Sequence, residues 1–315
     1  MKKLILDVDT GIDDALAIAM VLGMEDVSLA GVTVVFGNTY LSYAVRNTLD
    51  VLCELGHPEI GVYPGAEYPW GQNDWLVSDH LKVIHGNNGV GNVSFKYNQR
   101  KPKNQSACDF MIEAAKKYKE ELIIVNLGPL TNLANAINKN REAMSLCGTI
   151  AIMGGALTVK GNITPYAEAN IFNDPAAAKY VMESGLDLTM IGLDVTLKTV
   201  IMEDDISFLK EITTVASKHI YDMAYYYYVN EEGVLGGAMH DPLAVAAAID
   251  PSLITKWHDI SLEVWQNGPG VGRIVTTGDM LVKPNKNVRY ALDVNSESFK
   301  KRFKEALRKA VNRPE

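Results

Sequence analysis

Cysteine is scarce in this chain of 315 residues: Cys53, Cys108 and Cys147 stand far apart, with no Cys-x-x-Cys pair. That excludes a disulfide framework and a thiolate zinc site, and the three are expected to be buried apolar groups. No apolar run approaches the roughly 18 residues needed to cross a bilayer. The opening Met-Lys-Lys-Leu-Ile-Leu reaches Asp7 too soon to be the apolar region of a signal peptide. A cytoplasmic protein without membrane contact is expected. Cationic excess is missing too, since 30 Lys and Arg against 38 Asp and Glu leave a formal charge of −8. Without clustered Lys and Arg, a phosphate-tracking nucleic-acid surface is excluded. Neither a Walker A loop, nor Gly-x-Ser-x-Gly, nor His-Glu-x-x-His occurs, and Gly268-Pro-Gly270-Val-Gly272 lacks the spacing of a dinucleotide fingerprint. What is present is ordinary globular composition, 47% hydrophobic and 22% charged, enough to bury a sizeable core.

Short apolar runs alternate with helical patterns. Lys3–Val8 precedes the helical stretch Asp13–Leu22, and Leu29–Phe36 precedes Leu41–Leu55. Leu122–Asn126 precedes Leu130–Ile137, while Thr149–Met153 and Leu188–Ile191 end in Gly154-Gly155 and Leu193-Asp194. Continuous β-branched runs suit strands covered on both faces. The alternation predicts an α/β fold, an open, mostly parallel, doubly wound (Rossmann-like) sheet with helical and loop insertions, and a ligand site at the carboxyl ends of its strands. A single domain over 1–315 is expected. Residues 63–103, rich in Gly, Asn, Pro and Trp without a sustained period, form too long a connection to be idle and are expected to act as an active-site loop. Residues 204–250 read as a helical insertion, with Ser207–Tyr228 a long helix or helical pair and Asp241–Ile249 a short one. Ser261–Trp265 with Gly272–Thr276 predicts a β-hairpin, Val288–Val294 a final strand and Ser296–Val311 an amphipathic helix.

The strongest chemical signal follows the first strand. Asp7-Val-Asp9-Thr-Gly-Ile-Asp13-Asp14 puts four carboxylates within eight residues. Asp7 and Asp9, two apart on an extended segment, share a side, while Asp13 and Asp14 enter the first helical turn. Clustered carboxylates repel, and a hard divalent cation with oxygen ligands relieves them.

Two families carry such a turn. Haloacid-dehalogenase-type phosphatases resemble the Leu-Asp7-Val-Asp9 part, but they want Thr or Val where Gly11 stands, and Asp13-Asp14 is left over. The opening signature of the inosine-uridine-preferring nucleoside hydrolase family, Asp-x-Asp-x-Gly-x-Asp-Asp-Ala, is matched from Asp7 to Ala15 at every fixed position. That resemblance continues through Val34-Val35-Phe36-Gly37-Asn38, His85-Gly86-Asn87-Asn88-Gly89, Leu127-Gly128-Pro129-Leu130-Thr131-Asn132 and Met153-Gly154-Gly155. It extends through Gly161-Asn162, Ala167-Glu168-Ala169-Asn170 and Asp174-Pro175 to His240-Asp241-Pro242, nearly the whole chain.

The resemblance implies Ca²⁺-dependent hydrolysis of the N-glycosidic bond of ribonucleosides, releasing base and ribose in nucleoside salvage. It implies a cation held by Asp9, Asp14, the Leu127 carbonyl and Asp241, with Asp9 also the base that activates the attacking water. His240 would be proton donor to the leaving base, a role suited to an imidazole. Asp13, Asn38, His85, Met153, Asn162, Glu168 and Asn170 would bind the nucleoside, and Tyr228, from the run Tyr225–Tyr228, would line the base pocket. At most two of those four tyrosines can face the site. His57, His80, His219 and His258 are expected to be surface or core. Ala169 replaces a Phe of protozoal members, and neither it nor the loop sequence reveals whether purine or pyrimidine is preferred. The resemblance implies homodimers or homotetramers. Two alternatives stand beside it: a haloacid-dehalogenase-type phosphatase, and a catalytically silent nucleoside-binding protein.

Overall fold

The computed structural model describes residues 1–96, 98–231, 236–276 and 288–312. Parts of the two insertions expected at 63–103 and 204–250, namely 97 and 232–235, lie outside them. Strand β1 (Lys2–Val8) leads through the acidic turn to α1 (Ile12–Leu22), then β2 (Val27–Val34), α2 (Leu41–Glu54) and β3 (Val62–Pro64). Next come α3 (Asp79–His85), α4 (Ala107–Tyr118), β4 (Leu122–Asn126), α5 (Thr131–Met144) and β5 (Thr149–Met153). Helices α6 (Ala169–Asn173) and α7 (Pro175–Met182) precede β6 (Leu188–Ile191) and α8 (Leu193–Thr196). Then follow β7 (Val200–Ile201), α9 (Glu203–Ile206), α10 (Val215–Asn230), β8 (Gly237–Ala238) and α11 (His240–Ile249). The chain closes with β9 (Ile254–Ile260), the hairpin strands β10 (Glu263–Val264) and β11 (Ile274–Val275), β12 (Val288–Val294) and α12 (Ser296–Val311).

Eight strands form the main sheet in the order β3-β2-β1-β4-β5-β6-β12-β9. All neighbours pair in parallel except the edge strand β9, antiparallel to β12. The order runs leftward from β1 to β3 and rightward from β4, so the direction of winding reverses between β1 and β4. A crevice opens at such a switch point, beyond the carboxyl ends of the strands. The acidic turn leaves β1 there, and Leu127 leaves β4 beside it; the Leu127 amide donates to the Asp7 carbonyl at 2.7 Å.

Side chains alternate across the sheet. Leu4, Leu6 and Val8 join one apolar core with α1, α11 and α12, whereas Ile5 joins the other with α4 and α5. Helix α1 is buried along its whole length. A Cβ on Gly23 at its end would come within 1.8 Å of the Ala306 carbonyl, so α12 closes directly over it.

The loop region differs from its expected lack of structure. Ser78 caps the short helix α3, its hydroxyl accepting from the Leu81 amide at 3.3 Å. The segment is fastened by Ala66 N–H to Asn132 Oδ1 (2.8 Å), Trp70 N–H to Asp174 Oδ2 (2.8 Å) and Asn47 Nδ2–H to the Asn88 carbonyl (2.8 Å). Of the two forms expected for 207–228, one long helix or a helical pair, the structure has the pair, a 3-10 helix at Ser207–Glu211 followed by α10, because Thr214 interrupts and caps the new helix through the Ser217 amide at 3.1 Å. The cysteines, expected to be buried, are half-buried. Cys53 lies in the last turn of α2, Cys108 is the second residue of α4 and Cys147 lies in the connection between α5 and β5. Cys108 and Cys147 pack against an apolar core, and burial pushes the Cys147 thiol up to about 12. Among the described residues no helix is long and apolar enough to cross a membrane.

Candidate active site

The acidic turn is assembled by its own hydrogen bonds. Asp14, in the first turn of α1, accepts from the Gly11 amide on Oδ2 (2.8 Å) and the Asp9 amide on Oδ1 (3.2 Å), folding the turn back on itself. Asp9 Oδ2 accepts from the Asn38 amide at 2.6 Å, and the Asn38 side chain donates to Asp14 Oδ2 at 3.2 Å. Three glycines allow this convergence. A Cβ on Gly37 would stand 1.9 Å from Asp9 Oδ2, one on Gly128 would stand 3.0 Å from Asp9 Oδ1, and one on Gly11 would meet Asn38 and His85 at 2.7 Å. Asp7 points behind the site, its Oδ1 bonded to Thr33 Oγ1 (2.7 Å) and Asn132 Nδ2 (2.8 Å), and burial pushes its carboxyl up to about 6.

The remaining acids face one another. Carboxylate oxygens of Asp13, Asp14 and Asp241 all lie within 4.8 Å of one another, and all three residues are buried. Asp9 Oδ1 and Asp13 Oδ1 are buried with no hydrogen-bond partner. Burial, and then the charge of Asp14, raises Asp13 to about 7 and Asp9 well above the usual carboxylate range. Asp241 is likewise raised well above it, by burial and then by Asp13, Asp14 and Asp9. So many buried acids with unpartnered oxygens are costly unless a cation joins them. An all-oxygen set at this spacing fits a hard divalent ion with bonds of about 2.3–2.6 Å. The resemblance names Asp9 with Asp14 and Asp241; the mutual cluster holds Asp13 in its place, with Asp9 Oδ1 beside it as a further free donor. The Leu127 carbonyl accepts from Asn170 Nδ2 at 2.6 Å, which leaves it one lone pair.

Above the acids lies a cavity of about 330 Å³, whose lining includes Asp13, Asn38, His85, Leu127, Met153, Asn162, Glu168, Asn170, His240 and Asp241. Asp9 and Asp14 lie beneath it. Glu168 caps α6, accepting from the amides of Asn170 (2.8 Å), Gly155 (2.9 Å) and Ile171 (3.2 Å), which fixes both of its oxygens. Asn162, exposed at the rim, accepts from the Ala169 amide at 3.0 Å, and Ala169 itself lines the cavity. His85, from α3, accepts the Ile12 amide on Nδ1 at 3.1 Å, so its Nε2 carries the hydrogen, and burial lowers its pKa to about 3. His240 bonds Thr196 Oγ1 through Nδ1 (2.7 Å) and Glu231 Oε1 through Nε2 (3.1 Å). Burial lowers the His240 pKa, but Glu231, Asp13 and Glu168 outweigh it and leave it raised.

Two expectations are corrected. Tyr228 does not line the cavity; Tyr227 does. On α10 the buried stripe runs Ile220, Met223, Ala224, Tyr227, and Tyr228 is turned one position off it, its ring 6.0 Å from that of Tyr225. His80, read as surface or core, stands in the cavity wall with Leu81, because α3 turns toward the site. Glu231 also lines the cavity and went unread. Its only signal is its place nine residues before His240, which does not separate it from Glu232.

A doubly wound parallel sheet, with buried acids at its switch point and a polar cavity above them, defines an α/β enzyme for a small polar substrate. A family model described as inosine-uridine preferring nucleoside hydrolase matches residues 4–301. Uridine nucleosidase 1 of Arabidopsis thaliana is 40% identical over 258 residues, covering 81% of this chain and 76% of that one. The pyrimidine-specific ribonucleoside hydrolase RihA of Escherichia fergusonii is 32% identical over 305 residues, 94% and 95% of the two chains. The structure of a purine-preferring ribonucleoside hydrolase from Gardnerella vaginalis agrees at a TM-score of 0.95 and 39% identity, over 99% of both chains. The chain belongs to the inosine-uridine preferring nucleoside hydrolase family and is a nucleoside hydrolase. The phosphatase alternative falls with that match.

Proposed function

We propose that this enzyme is a Ca²⁺-dependent ribonucleoside hydrolase in which Asp9 accepts the proton of the attacking water and His240 protonates the departing base. The observation that carries the reading is the pair of unpartnered buried oxygens, Asp9 Oδ1 and Asp13 Oδ1, under a cavity otherwise lined by short polar groups. Asp9, Asp14, Asp241 and the Leu127 carbonyl would hold the cation. When bound, it supplies Lewis acidity, ordering the vicinal hydroxyls of the sugar and making the attacking water more acidic.

The chain's own groups do the rest. Ribose sits over the acidic floor, where Asp13, Asn38, Glu168 and Asn170 meet its hydroxyls. Cleavage builds positive charge at the anomeric carbon, which a floor of carboxylates stabilises more in the transition state than in the ground state. Water oxygen bonds to that carbon as the C–N bond breaks, and the bonding pair leaves with the base nitrogen. Asp9 is held on one oxygen by the Asn38 amide, leaving Oδ1 to take the water's proton. The base lies between α3, Tyr227 and His240, where His85 offers a fixed Nε2–H donor.

A place in cytoplasmic nucleoside salvage accords with the free cysteines and acidic charge balance. Assembly into two or four copies rests on the family resemblance. The test is ribose release from inosine, adenosine, guanosine, uridine and cytidine before and after prolonged chelation, with 2′-deoxynucleosides as controls. Release that chelation abolishes and Ca²⁺ restores is expected, with the deoxy substrates poor. Turnover indifferent to chelation would remove the cation from the reading, and binding without release would leave the silent binding protein.

A further inference from the structure

Glu231 occupies a position that stability does not explain. It follows the last residue of α10, its amide donating to the Tyr227 carbonyl at 2.9 Å, at the negative end of the helix dipole. A carboxylate there is unfavourable, and more so when its side chain is only 8% exposed and near Asp13. Both of its oxygens are committed: Oε1 to His240 Nε2 at 3.1 Å, and Oε2 to the Ala238 amide. The other ring nitrogen of His240 is engaged by Thr196, which is fully buried and does not line the cavity, whereas Glu231 does. The Nε2 edge of the imidazole is therefore the edge toward the substrate.

We propose that Glu231 is a positioning residue for leaving-group protonation, holding the His240 ring and keeping a hydrogen on Nε2. An ionised carboxylate only accepts, so a bond between Glu231 Oε1 and Nε2 requires Nε2 to carry the hydrogen. Thr196 completes the clamp from the far side, because a hydroxyl serves either state of Nδ1. The inference rests on His240 being the acid of the reaction. In the step itself His240 acts as the imidazolium, with its Nδ1–H donated to Thr196 Oγ1. The Nε2–H passes from Glu231 Oε1 to the base nitrogen, which takes the proton with the C–N bonding pair; a neutral imidazole remains, and Glu231 gains and loses no proton.

Leaving-group chemistry separates this role from a structural one. A nucleoside base departs with a proton, whereas p-nitrophenolate departs from p-nitrophenyl β-D-ribofuranoside as a stable anion without one. The readout is the ratio of kcat on uridine or inosine to kcat on the p-nitrophenyl riboside. Glu231→Gln keeps the shape but has one acceptor where two N–H groups need one. Its ratio is expected to fall about tenfold or more, a part of the roughly 10²–10⁴-fold that a positioned acid contributes. His240→Ala should lower the ratio further, and the Glu231→Gln, His240→Ala double variant no further than His240→Ala alone. Glu231→Asp gives a second substitution that keeps the charge but shortens its reach, with an intermediate ratio expected. If the Glu231 variants lower both substrates equally, or change only KM or the order of bases, Glu231 is structural or contacts the base and the proposal is overturned. If His240→Ala leaves the ratio unchanged, the assignment of the acid fails instead.

Discussion

Gly37→Ala puts one methyl group against the group proposed to take the water's proton. The added Cβ would stand 1.9 Å from Asp9 Oδ2, 2.7 Å from its Cγ and 2.8 Å from its Cβ, so the whole carboxylate is in the way rather than a flexible tip. Ordinary contact begins near 3.4 Å, so Asp9 must retreat by about 1.5 Å, giving up its 2.6 Å bond from the Asn38 amide. Misplacement by about 1 Å costs on the order of 10²-fold, and kcat is expected to fall by at least that factor. Overpacking of this kind costs about 1–3 kcal/mol. With an unfolding entropy of about 2.1 cal/mol/K per residue, the 315 residues lose roughly 2–5 °C of Tm. Gly56→Ala is the control: its φ of +76° strains an alanine, but nothing lies within 4 Å of the new Cβ. It should lose a similar Tm with kcat retained. Steady-state ribose release and thermal melts on the two variants decide the matter. A Gly37→Ala enzyme with the parent's kcat would refute the view that Asp9 must hold its present position.

Asp9→Asn should lose about 10²–10⁴-fold in kcat while the chelated protein melts no lower than the parent, since it removes a buried acid already raised well above its usual range. A large drop in Tm would show Asp9 to be structural. Tyr227→Ala should raise KM about tenfold, the effect of roughly 1.4 kcal/mol from a buried ring, and Tyr228→Ala should leave it alone; the reverse would place the wrong face of α10 in the pocket. His85 has a folded pKa of about 3 against 6.5 when free, so the unfolded chain binds its proton first and stability is lost as pH falls from about 6.5 toward 3. Chemical denaturation at pH 7 and pH 5 should therefore show the parent losing more stability than His85→Gln; an equal loss would mean that His85 is not held neutral.

The elements that were legible are those whose burial writes a period into the sequence. Leu122–Asn126, Thr149–Met153 and Leu188–Ile191 are central strands covered on both faces, so each is a continuous apolar run with a sharp end. Helix α12 lies on the surface with Phe299, Phe303, Leu307 and Ala310 inward, and its stripe marks both of its ends. Strand β9 lies at the edge with four of its seven residues exposed, which erases the pattern, and β3 has three residues ending in a proline. Helix α3 is seven residues long with Leu81 and His85 its buried residues, too short for a period of 3.6 to declare itself amid glycine and asparagine.

The same distinction divides the site. Its acidic floor is legible because Asp9, Asp13 and Asp14 are carried on one turn, where clustered carboxylates mark a site, although the fourth acid, Asp7, turns behind it to Thr33 and Asn132. The wall over it is built by α3, the end of α10 and the start of α11, which meet only in three dimensions. Tyr227 and Tyr228 differ by one residue and by 100° around a helix, and the sequence contains no origin for that angle. Only the neighbours Ile220, Met223 and Ala224, once packed, choose between them. Glu231 is harder still, since its meaning depends wholly on His240 being 3.1 Å away. The part of the site that was legible is thus the part proposed to act on ribose, which every ribonucleoside shares. The part that was not is the wall proposed to meet the base, where substrates differ, so base preference has to be sought in α3 and α10 rather than in the acidic turn.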